Sequence, residues 1–134
     1  MTRRTNDQGW TLIELLVVVT LIMLLASISL VQYRNTIVSA KEATLKAQLF
    51  IMRDAIDQYY ADKAKYPESL QTLVTEQYLR SVPLDPFTES SDTWQTVAAD
   101  PEPGAASVST GIFDVKSGSD RNALDGSRYA DWKP

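Results

Sequence analysis

The 134-residue sequence predicts an α+β fold. One long N-terminal α-helix, half transmembrane and half amphipathic, is packed on a small head with a second short helix and a short antiparallel sheet. Three observations carry that expectation. The segment from Trp10 to Val31 is apolar and holds no Lys, Arg, Asn, Gln, Gly or Pro, with Glu14 its one charge. Helical periodicity then continues without a breaker to about Lys63. Every Pro, and every Gly except Gly9, lies at or beyond position 67, so turn chemistry is confined to the back of the chain.

The first element is the apolar span. Its 22 residues make about 33 Å of helix, enough to cross a hydrocarbon core of about 30 Å. Arg3 and Arg4 precede it and no Lys or Arg follows until Arg34, so the positive-inside rule expects a cytoplasmic N-terminus. A cleaved secretory signal is a competing reading, with Ser27-Ile28-Ser29 as its small-x-small site. Its apolar core is normally about 7–15 residues, shorter than the run here. A plain membrane anchor is the second competitor. Glu14 separates them, because a carboxylate inside an apolar span costs a few kcal/mol (~3) unless it is paired, and so marks a function. The span supplies no cation. An α-amine near Trp10, released by a cut after Gly9, would serve.

Next comes the stem. Val38, Leu45, Leu49, Met52, Ile56 and Tyr59 form one apolar stripe, expected to bury against the head. Glu42 with Lys46, and Arg53 with Asp57, are expected as i,i+4 pairs on exposed faces. The head follows. Lys65-Tyr66-Pro67 ends the long helix, and Pro67 is expected in the first turn of a second one, with Leu70, Leu73, Val74 and Tyr78 on its apolar face. Val82–Phe87 reads as an extended or turn stretch and Asp100–Gly104 as a loop. Thr93–Ala98 and Ile112–Lys116 read as strands, and the tail from Gly118 as a loop anchored by Tyr129 and Trp132.

Composition removes most enzymatic chemistry. The sequence has no Cys and no His, which excludes a disulfide framework, a thiolate zinc site and the usual nucleophile–base triads. With Lys+Arg 13 against Asp+Glu 17 the net charge is −4, so no nucleic-acid partner is expected. Asp54 and Asp57 are i,i+3 carboxylates on a helix surface and read as solvated charges. The chain is expected not to be an enzyme.

The run Gly9-Trp10-Thr11-Leu12-Ile13-Glu14-Leu15-Leu16-Val17-Val18 resembles the cleavage and methylation signature of type IV prepilins and type II secretion pseudopilins. The resemblance implies that a prepilin peptidase cuts after Gly9 and methylates the amine of Trp10. It also implies that Glu14 pairs with the terminal amine of a neighbouring subunit in a helical filament. Trp10 stands where the family usually has Phe. Met23 and Val31 stand where a Gly and a Pro usually interrupt the helix, so a continuous helix is expected here. The order Lys65-Tyr66-Pro67, Leu70, Tyr78-Leu79, Val82-Pro83, Asp85-Pro86 and Trp132 is similar to the major pseudopilin subfamily.

On that basis residues 1–9 are a leader, 10–31 the transmembrane and assembly half of the helix, 32–63 the stem and 64–134 a periplasmic head. The expected function is that of a homo-oligomeric pseudopilus subunit in type II secretion. Minor pseudopilins and an inner-membrane assembly platform are its implied partners. A type IV pilin or minor pilin serving adhesion, motility or DNA uptake is the alternative, as is a membrane-anchored binding module that never polymerises. The subfamily often holds one calcium ion in its C-terminal loop. The oxygens offered here are Asp114, Ser117, Ser119, Asp120, Asp125 and Ser127, with Asp114, Asp120 and Asp125 as the carboxylate ligands, although Arg128 would oppose a cation and Arg121 or Arg128 would serve to pair with those carboxylates instead.

Overall fold

The computed structural model describes residues 11–100 and 111–133. The expected leader, Gly9, Trp10 and most of the 100–104 loop lie outside them. The chain divides at Ile37/Val38 into two compact units. Helix α1 (Leu12–Lys63) is unbroken over 52 residues, as the lack of Gly and Pro dictates. In its apolar front part Leu12, Ile13, Leu16, Leu25 and Val31 are all more than 60 % exposed. Two hydroxyls in that stretch bond back to the helix: Thr20 Oγ1 donates to the Leu16 carbonyl (2.7 Å) and Ser27 Oγ to that of Met23 (2.8 Å). Such back-bonding satisfies a hydroxyl within the helix itself, which is what an apolar environment requires.

The second unit is the head, built on the later turns of α1. Leu45, Leu49, Met52, Ile56 and Tyr59 are buried there, as the stripe predicts, and Val38 is half-buried. They pack with Leu73, Leu79, Trp94, Ile112, Val115, Ala123 and Tyr129 into one core. Helix α2 (Leu70–Thr75) is shorter than expected and starts later. Ser69, not Pro67, opens it: the Ser69 hydroxyl accepts the Thr72 N–H at 3.2 Å. Pro67 instead lies buried in the irregular chain between α1 and α2, its carbonyl accepting from Ile112 N–H (2.8 Å).

Strands β1 (Gln95–Ala98) and β2 (Ile112–Lys116) pair antiparallel, with a register shift between Val97 and Ala98. Val97 faces Asp114 and Ala98 faces Ile112, so Phe113 is the extra residue of a bulge. The bulge explains why Ile112 and Val115 are both buried although three residues apart, while Phe113 is 54 % exposed. Trp94 precedes β1 and is held by its indole N–H on the Pro83 carbonyl (2.8 Å).

Both helices end on a non-glycine residue in the left-handed region, Ala64 (φ 53°) and Gln77 (φ 66°). The Tyr78 N–H reaches the Leu73 carbonyl and that of Gln77 reaches Val74, a Schellman end, while Ala64 N–H closes on Tyr60. Glycine adopts this conformation without the Cβ clash. Ala64→Gly and Gln77→Gly are therefore each expected to stabilise the head by about 1 kcal/mol, read as a raised midpoint in denaturant unfolding.

Candidate assembly site

Thr11 caps α1. Its hydroxyl accepts the Glu14 N–H at 3.3 Å, and its carbonyl accepts that of Leu15 at 3.1 Å. Thr11-x-x-Glu14 is the capping-box spacing, a local signal that sequence reading passed over in favour of Glu14's charge. The cap uses the backbone of Glu14, so its carboxylate stays available. That carboxylate is exposed, in the first turn of the helix. No Lys or Arg forms an ion pair with it among the described residues. The positive end of the helix dipole favours a carboxylate there by under about 1 kcal/mol, short of the cost of carrying it into lipid. α1 is the one helix among the described residues long and apolar enough to cross a membrane.

The charged residues of the stem do not make the expected local pairs. Glu42 turns to the C-terminal tail, where its Oε1 accepts the Leu124 N–H (2.8 Å) and the Tyr129 hydroxyl (3.0 Å). Arg53 Nε pairs with Asp114 at 2.6 Å rather than with Asp57. Lys46 lies over the Trp132 ring, 4.6 Å from its centre. Tertiary partners win because α1 is packed under the head along this face, so partly desolvated acceptors lie nearer than the next turn of the helix.

The three carboxylates expected as a calcium set do not come together. Asp114 belongs to Arg53. Asp125 Oδ1 accepts the Ser127 N–H (2.9 Å) and hydroxyl (2.6 Å), and Asp120 is exposed. Those Ser127 bonds hold the Asp125 carboxyl below its ordinary value. No cluster of three metal-ligating carboxylates forms among the described residues. Neither Arg121 nor Arg128 pairs with an acidic side chain there.

A buried acid was missed altogether. Asp85 is fully buried and accepts from the Ser117 hydroxyl and the Phe87 N–H (2.8 Å), tying the 85–90 turn to the end of β2. The Asp-Pro pair at 85–86 carries a turn signature; nothing in the sequence pairs Ser117, expected among the calcium oxygens, with Asp85.

Tyr129 is stacked on Phe87 with ring centres 4.0 Å apart. Burial, and then its bond to Glu42, push its hydroxyl up to about 12. The neutral phenol is the form that fits, so its contribution is intact below its ordinary value of 10 and is lost as pH rises through about 12. Tyr129→Phe is expected to remove one late-titrating phenol from a tyrosinate absorbance titration and to flatten stability across that window.

The front of the chain matches the family model described as "Prokaryotic N-terminal methylation motif" over residues 4–30, which takes in Gly9, Trp10 and Glu14. The chain is similar to type II secretion system core protein G of Pseudomonas aeruginosa, with 27 % identity over 137 residues, 90 % of this chain and 94 % of that protein. It is also similar to core protein G of Klebsiella michiganensis, with 27 % identity over 101 residues, 63 % and 71 % of the two chains. No solved structure is matched. A methylation motif at the head of an apolar helix, a small α+β head behind it and these two likenesses together make the chain similar to the core G proteins of type II secretion systems.

Proposed function

We propose that the chain is a structural, non-enzymatic subunit of the pseudopilus in type II protein secretion. A prepilin peptidase cuts after Gly9 and methylates Trp10. The released protein waits in the inner membrane on its single span, with the N-terminus cytoplasmic and the head periplasmic. An assembly platform then stacks it, together with minor pseudopilins, into a periplasmic filament. The single supporting observation is Glu14, an exposed carboxylate in the first turn of an otherwise apolar helix, with no partner cation among the described residues.

The energetics favour a polymer. Cleavage removes Arg3, Arg4 and Asp7 and leaves one new amine four residues before one acid. Each group is costly alone in lipid, and each is satisfied by the next copy, so association in register is favoured over dispersed monomers. Co-expression of the whole chain with a prepilin peptidase, followed by intact mass, tests the first step. Loss of nine residues and gain of one methyl group is expected; a chain left at full length contradicts it.

A further inference from the structure

The calcium ion implied by the resemblance to pseudopilins does not fit the groups present. Arg53 holds one of the three carboxylates offered to such an ion, and the three form no cluster among the described residues. Its Nε donates to Asp114 Oδ1 at 2.6 Å, and its Nη2 donates to the carbonyls of Val115 and Trp132, each at 3.0 Å. The pair is largely shielded, with side-chain exposures of 12 % for Arg53 and 21 % for Asp114. Asp114 Oδ1 is further engaged by the Val115 N–H at 2.7 Å. A divalent cation arriving here would displace, and be repelled by, a guanidinium already in contact with the carboxylate.

We propose that Arg53 is the built-in cation of the head, fastening its C-terminal segment to α1 and β2, and that the head holds this segment without calcium. Arg53 joins three parts of the chain, because its partners lie 61, 62 and 79 residues away. A planar guanidinium presents several donors in fixed directions, which one ammonium does not. Glu42 is the opposite anchor. It lies eleven residues earlier, about three helical turns and so on the same face, and it takes the Leu124 N–H and the Tyr129 hydroxyl of the same segment. Tail closure is thus written into two stem charges of opposite sign. The inference concerns the folding of the head alone and does not depend on polymerisation.

The test uses the whole chain in detergent, with thermal unfolding followed by near-UV circular dichroism in excess EGTA and in calcium chloride. The native chain is expected to give the same midpoint in both. Arg53→Met and Arg53→Lys are each expected to lower it by about 5 °C or more, equally with and without calcium. Glu42→Gln, a milder change, is expected to lower it by less. A native midpoint that falls in EGTA or rises with calcium chloride overturns the proposal, whether or not the Arg53 variants fold. So does an Arg53→Met chain that melts with the native one.

Discussion

Glu14→Ala is expected to leave the chain cleaved and methylated but to abolish fibres. In the proposed order of events the peptidase acts before any subunit meets another, so processing is expected to survive the change. Assembly does not. Removing the acid strands the amine of the next copy in an apolar layer, and breaking a buried pair costs about 3–5 kcal/mol. That is more than a hundredfold in each subunit contact, repeated along the filament, so fibres drop below detection. Glu14→Gln separates this account from a purely local one. The cap bond runs from the Glu14 backbone N–H to Thr11, and a glutamine at N3 keeps it. If the side chain mattered only for capping, Glu14→Gln would assemble normally. Charge pairing expects it to fail like Glu14→Ala. The readout is the quantity of subunit in the sheared fraction against that in the membrane, with mass confirming the cut.

Gly118→Ala is expected to have the largest effect on the head. The residue lies two positions past the end of β2, and a methyl there would overlap the carbonyl oxygen of Thr93, a backbone atom that cannot swing aside. Relief requires prising the chain before β1 away from the end of β2, next to the buried Asp85–Ser117 contact. A loss of about 3 kcal/mol or more follows, a large share of the about 5–15 kcal/mol that a domain of this size holds. Gly126 is the control. It has φ +86° with nothing within 4 Å of a built Cβ, so Gly126→Ala carries only the backbone cost of about 1 kcal/mol. Urea unfolding followed by tryptophan fluorescence, with Trp94 and Trp132 in the head, measures both. A Gly118→Ala chain as stable as Gly126→Ala would contradict the packing described for the β1–β2 edge.

The parts of the molecule legible in the sequence are those governed by period and by punctuation. The stripe from Leu45 to Tyr59 has a strict helical spacing, and β2 is bounded by loop residues, so both fall where the pattern puts them. Helix α2 was displaced because Pro67 is equally at home in a first turn and in irregular chain; the Ser69 cap and the bond from Ile112 to its carbonyl decide between them. The partners of Glu42 and Arg53 lie 61 to 87 residues away. Local spacing carries no information about contacts of that range, so the i,i+4 reading was the only one available to it. Glu14 was legible for a different reason. A lone acid in an apolar span conflicts with every local preference, and such conflicts collect at functional positions.

In the proposed function, fibre growth and the secretion it drives are downstream of one event, the joining of processed copies through their first turns. Electron microscopy of the sheared fraction, from cells producing the whole chain with a type II assembly system, observes that event directly. Helical fibres labelled by an antibody against the head, built from subunits that begin at Trp10, are the expected result. Processed subunits that remain dispersed in the membrane while the rest of the system assembles would contradict it.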